Sequence, residues 1–111
     1  MNWIPLQNEQ QLEEIKTKSA QFPQIIFKHS TRCGTSSMAK RRLENKEAPQ
    51  GADFYYLDVI RHRNISNKIA SDFHTRHESP QILIIENNIC TYSESHFGID
   101  MDEIKANIAD E

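Results

Sequence analysis

An α/β chain with a mixed sheet of four to five strands flanked by helices is the fold class that the sequence predicts. Three observations carry it. Two short runs rich in branched and aromatic residues, Gln24 to His29 and Asp53 to Val59, are separated by a helical pattern, as in a βαβ unit. A third run, Ile82-Leu83-Ile84-Ile85, leads through Asn87-Asn88 into another strand-like segment, as in a hairpin. Helical periodicities stand before, between and after these runs.

The elements follow in order. Trp3-Ile4-Pro5-Leu6 predicts a short edge strand, where proline is tolerated. Asn8 to Ala20 reads as a helix capped by Asn8, with Gln11 three residues on as in a capping box, and Leu12, Ile15 and Ser19 on one face. Phe22-Pro23 ends it, and Gln24 to His29 reads as a buried strand. Ser30 to Gly34 is a polar turn, and a helix follows from Thr35 to Asn45 with Met38, Ala39, Arg42 and Leu43 on one stripe. Pro49-Gln50-Gly51 is a loop. In the strand from Asp53, alternation puts Tyr55 and Leu57 on one face, Tyr56 and Asp58 on the other.

Asn64 is the expected cap of a helix whose Ile65, Ile69 and Phe73 recur every four residues. His77-Glu78-Ser79-Pro80 breaks the chain before the strand Gln81 to Glu86. Asn87-Asn88 favours positive φ, and Ile89 to Ser95 returns as the hairpin partner. Asp100 opens the last helix, Glu103 completes a second capping-box pattern, and Met101, Ile104 and Ile108 face the core. No repeat or linker divides the chain, so one domain over residues 1–111 is expected. This order and count of elements fit a thioredoxin-like fold.

Composition narrows the function. The 111 residues are 37% hydrophobic and carry a net charge of −3. A chain of this size buries enough surface for one core. Bulk affinity for nucleic acid or for an anionic membrane is not expected. No apolar run approaches the about 18 residues of a membrane span. The start lacks the basic and apolar regions of a secretory signal, so the expected address is the cytoplasm. Only two cysteines occur, Cys33 and Cys90, too few for a disulfide framework and not in a CxxC metal pair. His74 and His77 stand three apart with no third ligand spaced to them, and no metal site is expected.

Cys33 stands between a buried strand and a helix start, in Thr31-Arg32-Cys33-Gly34-Thr35-Ser36. The first N–H groups of a helix lack partners and the dipole there is positive, so a thiolate at such a place is stabilised. Gly34 is read as permitting a sharp turn and leaving room for a substrate backbone, and Thr35 and Ser36 as hydroxyl donors to the sulfur. Lys28, Arg32, Lys40, Arg41, Arg42 and Lys46 against Glu44 give this stretch a charge of +5, so the net −3 is strongly segregated. A stabilised thiolate attacks no faster, because nucleophilicity falls as its proportion rises, but it leaves more readily from a mixed disulfide. That suits a thiol that accepts an adduct and passes it on. His29, at the end of the strand, is a candidate electrostatic modulator together with Lys28. Cys90, just after the Asn87-Asn88 turn, is read as a small strand residue remote from Cys33.

Phe27-Lys28-His29-Ser30-Thr31-Arg32-Cys33 and the following Gly34-Thr35-Ser36-Ser37-Met38-Ala39 resemble the active-site stretch of the monothiol bacilliredoxins, the YtxJ-like family of the bacillithiol redox system. The resemblance continues through Tyr55-Tyr56-Leu57-Asp58, Ile65-Ser66-Asn67 and His77-Glu78-Ser79-Pro80-Gln81, and includes Trp3 and Gln11-Leu12. It implies a thioredoxin-like fold and a thiol–disulfide oxidoreductase with Cys33 as its single catalytic thiol. Ser36 matches the place where dithiol relatives carry a resolving cysteine. Ser79-Pro80 matches the segment whose proline is cis and whose residue before it pairs with an extended substrate. Thr31, Arg32, Gly34, Thr35, Ser36, Ser79 and Pro80 are thus the implied substrate contacts, and Asp58 an analogue of the carboxylate beneath the cysteine in thioredoxins.

The implied partners are S-thiolated client proteins and a low-molecular-weight thiol, with a monomer favoured. Bacillithiol or glutathione would be the mixed-disulfide co-substrate, and no cofactor is held tightly. Gly34 departs from the Pro or Ser that often follows the cysteine in the family. Cys33-Gly34-Thr35-Ser36 also looks like the loop of monothiol glutaredoxins, which makes a [2Fe–2S] carrier the alternative, with an arsenate-reductase-like enzyme behind it.

Overall fold

The computed structural model describes residues 1–108, so the last three residues of the expected domain, 109–111, lie outside it. The chain runs β1 (Trp3–Pro5), α1 (Glu9–Lys18), β2 (Gln24–His29), α2 (Gly34–Glu44), β3 (Asp53–Asp58), α3 (Arg63–Asp72), β4 (Gln81–Glu86), β5 (Ile89–Ser95) and α4 (Met101–Ala106), with a 3₁₀ turn at His96–Gly98. The strands form one sheet in the order β1-β3-β2-β4-β5. β1, β3 and β2 are parallel, and β4 and β5 antiparallel, which is the mixed sheet that a βαβ unit followed by a hairpin dictates.

Each face of the sheet carries its own core. On one, Leu12 and Ile15 of α1 and Ile65 and Ile69 of α3 cover Ile26, Tyr55, Leu57, Leu83 and Ile85. On the other, Ala39 and Leu43 of α2 and Met101 and Ile104 of α4 cover Ile25, Phe27, Phe54, Ile82 and Ile84. The central strand β2 is buried at all six positions, because helices lie on both its faces. Lys28 and His29 are part of that strand and are buried with it, at 0% and 5% exposure.

Local chemistry fixes several boundaries as expected. Asn8 caps α1 through its side-chain oxygen, which accepts from Gln11 N–H at 2.9 Å. Gln11 returns the bond to Gln7 N–H rather than to Asn8, one residue from the expected box. Asn87 and Asn88 adopt φ of 52° and 63°, the two positive values that a tight hairpin turn requires. The loop 45–52, which joins α2 to β3, turns at Gly51 with φ of 77°.

Other expectations are corrected. The N-cap of α3 is His62, and Asn64 stands inside the helix with its amide on Glu9. Met38 is 51% exposed; the inward stripe of α2 is Ser36, Ala39 and Leu43. Asp100 does open α4 but makes no side-chain cap bond, because its carboxylate is turned to Lys46.

Candidate active site

The parallel strands β1, β3 and β2 all end on the same side of the sheet, and Cys33 stands beyond the end of β2. Ser30 C=O accepts from Cys33 N–H at 3.1 Å, which turns the chain tightly into α2. Cys33 itself is the N-cap residue, with extended backbone and a sulfur that makes no cap bond. Its C=O accepts from Ser37 N–H at 3.1 Å, so the first turn of α2 is closed beneath it. The thiol is partly exposed, while Thr31, Arg32 and Gly34 around it are open to solvent and Thr35 is half-buried. No side chain of the described residues bonds to the sulfur, so the hydroxyls of Thr35 and Ser36 are not its donors.

Ser36 has a different task. It is fully buried, and its Oγ accepts from Ser30 N–H at 3.0 Å. The hydroxyl also lies 2.7 Å from His29 Nδ1. The hydroxyl can donate to an unprotonated Nδ1 or accept from Nδ1–H, so it satisfies that nitrogen in either neutral tautomer. Ser36 is therefore not a surface contact for substrate but the pin that holds the Cys33 loop to the end of β2. Gly34 is likewise not needed for the turn. Its φ is not in the left-handed region, and a Cβ there would meet nothing within 4 Å. The space above it remains open for a ligand.

His29 is held on an aromatic ladder that ties the parallel strands to α2. Trp3 stacks on Phe27 at 5.5 Å, Phe27 lies 5.7 Å from His29, and His29 lies 5.3 Å from Tyr56. Trp3 Nε1 donates to Glu44 at 2.7 Å, and Lys40 donates to the same carboxylate at 2.7 Å. Burial, and then the Lys40 ammonium, push the His29 pKa below its ordinary value, while Asp58 and Glu44 pull the other way. Asp58 lies opposite His29 in the sheet register. Its carboxylate accepts from Ile60 N–H at 3.0 Å and Arg61 N–H at 3.1 Å. It caps the turn after β3, and no bond joins it to Cys33, so its proposed thioredoxin-like role under the sulfur is not the one its hydrogen bonds serve.

Lys28 points to the opposite face of β2. Its Nζ donates to Ser66 C=O at 3.2 Å and lies 3.2 Å from His77 Nδ1. It is thus directed away from the face that holds His29 and Ser36, which removes it as a direct neighbour of the sulfur. Burial lowers its pKa to about 8. Ser66 Oγ stands 3.0 Å from the same His77 nitrogen. His77 is exposed as a residue, but desolvation of the ring where Nδ1 meets Lys28 and Ser66, and then the Lys28 and Arg63 charges, push its pKa below the ordinary value, with Glu78 opposing. The sequence marks His77 as a poor metal ligand and as part of the His77 to Gln81 resemblance, without a role of its own; the signal that could have found this role was a lysine on a strand buried on both faces, which needs a partner.

Ser79-Pro80 is a cis peptide. Lys28 pairs with Gln81 across the β2–β4 ladder, so Ser79 and Pro80 continue β4 alongside His29 and the turn that carries Cys33. Pro80 C=O accepts from His96 N–H at 3.1 Å. Gln81 spans the segment, its Nε2 donating to Arg76 C=O at 2.9 Å and its Oε1 accepting from Glu78 N–H at 3.4 Å. Ser79 Oγ is buried without a partner among the described residues.

The basic segment divides on inspection. Lys40 pairs with Glu44, Lys46 with Asp100 and Asp102, and Arg42 donates to Ile99 C=O at 3.2 Å. Lys28 is buried. Arg32 and Arg41 remain exposed with no ion pair among the described residues. The second thiol is far away. Cys90 pairs with Ile85, which pairs with Gln24 at the start of β2. The five residue steps from there to His29 cover roughly 17 Å, whereas a disulfide needs Cα atoms within about 7 Å. Burial pushes the Cys90 thiol up, and its Sγ lies 3.4 Å from Tyr92 C=O. Among the described residues, no group of three or more His, Cys, Asp or Glu side chains could hold a metal ion, and no helix is long and apolar enough to cross a membrane.

The family model described as monothiol bacilliredoxin BrxC matches residues 4–104. Among solved structures, a thioredoxin-fold protein named for an oxidoreductase role superposes with a TM-score of 0.82 at 26% identity, over 94% of this chain and 91% of that one. Thioredoxin from Malassezia sympodialis superposes at 0.74 with 16% identity, covering 95% of this chain and 86% of its own. Thioredoxin from Trypanosoma brucei brucei does so at 0.74 with 15% identity, covering 96% and 87%. The fold is thioredoxin-like.

Proposed function

Because the chain belongs to the monothiol bacilliredoxin family, we propose that it removes a low-molecular-weight thiol, bacillithiol, from mixed disulfides on client proteins. The observation that carries the reading is a partly exposed cysteine at the N-cap of α2 with a buried serine one turn below it. The Cys33 thiolate attacks the bacillithiol sulfur of a protein–S–S–bacillithiol bond. The client sulfur leaves as a thiolate and takes a proton from solvent, and Cys33 keeps bacillithiol as a mixed disulfide. A second bacillithiol thiolate then attacks the adduct's bacillithiol sulfur, releasing oxidised bacillithiol and the Cys33 thiolate. Ser36 cannot perform that second attack, and Cys90 is at the other end of the sheet. Resolution therefore comes from outside the chain.

Thr31, Arg32, Gly34 and Thr35 form the rim that a substrate meets, and Ser79 offers main chain beside it. Arg32 and Arg41, the exposed basic residues of the segment 28–46 that have no ion pair among the described residues, supply the attraction for the carboxylates of bacillithiol. The protein acts as a thiol–disulfide oxidoreductase of the cytoplasm.

Intact-mass measurement after incubation with oxidised bacillithiol and, separately, oxidised glutathione tests the reading. Wild type gains one adduct on Cys33 and gains it faster from bacillithiol. Cys33→Ser gains none and releases no thiol from an S-bacillithiolated test protein. Full transfer by Cys33→Ser would overturn the assignment, and equal rates with both disulfides would overturn the choice of thiol.

A further inference from the structure

Among the described residues, the ammonium of Lys28 is the one buried charge that the thiol chemistry does not use. It is 0% exposed, and no carboxylate pairs with it among the described residues. A charge taken out of water without a counter-charge costs several kcal/mol unless other bonds offset it, and a methionine would fill the same space without that cost. What the charge makes in return is a three-way junction. Its Nζ joins β2 to the Ser66 carbonyl on α3 and to His77 Nδ1 in the segment that leads into β4. Ser66 Oγ lies 3.0 Å from the same His77 nitrogen and shares its one lone pair with the ammonium. An ammonium has only donors, so His77 must present the lone pair at Nδ1, which fixes the ring as the neutral Nε2–H form.

The junction lies at the base of the segment 76–80. Gln81 holds that segment at Arg76 and Glu78, and Pro80 is held by His96. Between these points only the junction ties His77 inward, and His77 is otherwise largely exposed. Two residues further on stands Ser79, beside the Cys33 turn.

We propose that Lys28 is a positioning residue: by fastening His77 and α3 to the end of β2, its ammonium sets where Ser79 stands relative to Cys33, and so how an extended client is presented to the thiol. The proposal deepens the thiol-transfer reading above and rests on it. It assigns Lys28 to the client and not to the sulfur, which separates it from an electrostatic modulator of Cys33.

Kinetics on an S-bacillithiolated test protein and on oxidised bacillithiol alone decide it. Lys28→Met raises KM for the protein substrate by about tenfold, the worth of one charged hydrogen bond, while kcat and the rate with oxidised bacillithiol stay within about twofold. His77→Ala does the same, and His77→Asn, whose Oδ1 replaces the Nδ1 acceptor, restores KM. An unchanged KM in Lys28→Met overturns the proposal, as does an equal loss of rate on both substrates. Should Lys28→Met not fold, the exposed His77→Ala carries the test, and an unchanged KM there overturns it. Should wild type transfer no thiol, the functional reading falls, and hydrogen exchange decides the positioning on its own. Faster exchange of the 76–80 amides in His77→Ala with β2 unchanged sustains it, and unchanged exchange throughout overturns it.

Discussion

Lys28 and His29 are neighbours in sequence, both polar and both buried, yet they solve opposite problems on opposite faces of the same strand. His29 is neutral, sits among rings, and is satisfied by a hydroxyl seven residues away that also pins the Cys33 turn. Lys28 is a cation in a hydrocarbon core, satisfied by a helix carbonyl and an imidazole 38 and 49 residues away. The His29 face builds the turn that holds the thiol from local contacts. The Lys28 face draws distant segments to it. One face makes the nucleophile's platform, and the other places what docks beside it.

Substitutions break this comparison where it is strongest first. Ser36→Ala removes both bonds of the pin and leaves the Ser30 N–H and the His29 ring without partners, for a loss of about 2–3 kcal/mol in chemical denaturation. On the opposite face Ser66→Ala removes only the hydroxyl on His77, since Lys28 bonds the Ser66 main chain, and the loss is about 1 kcal/mol. Equal losses at the two serines would erase the asymmetry.

Acidity sharpens the same contrast. His29 and His77 are both held below their ordinary pKa, so on acidification the unfolded chain takes up these protons first. The stability they contribute is full above about pH 6.5 and is lost as the pH falls through their folded values. Denaturation midpoints between pH 7 and pH 5 show this fall in wild type and a smaller one in His77→Asn. Lys28, lowered from 10.5 to about 8, behaves alike at a higher range: its contribution is full above pH 10.5 and is lost as the pH falls through 8. The difference between wild type and Lys28→Met therefore changes between pH 8 and pH 10, and taking the difference cancels the groups that both proteins share. A flat difference would mean that the ammonium is not buried in solution. The smallest effect belongs outside both faces. Lys46, exposed between Asp100 and Asp102, can be replaced by alanine with no resolvable change in midpoint.

Reading the chain without coordinates works best where the partners are close. The Asn8 cap and the Asn87-Asn88 turn depend on contacts within a few residues and are legible; β2 is legible for another reason, its unbroken run of buried residues, while α2 begins at Gly34, one residue before the expected Thr35, which makes Cys33 its N-cap. Ser36 was expected to face the sulfur because its spacing permits it; the competing acceptor and donor, Ser30 N–H and His29, decide otherwise. Asn64 has the better capping side chain, but the chain enters α3 from a turn already held by Asp58, and His62 takes the cap position. Asp100 follows the same rule, its carboxylate going to Lys46 from another part of the fold. The role of His77 was the least legible, because nothing local marks a histidine that completes a lysine 49 residues away.

The loop 45–52 lies where β3 begins, at the opposite end of the sheet from Cys33. Its residues 45–47, 50 and 51 are exposed, and Gly51 already bends the chain sharply there. Such a tip accepts inserted sequence with little effect on the fold. A fluorescent protein or an affinity tag spliced between Gln50 and Gly51 would leave the thiol, its turn and the 76–80 segment untouched. The fold thus offers an attachment point for building a thiol reporter, or for trapping clients on a solid support, well away from the working end.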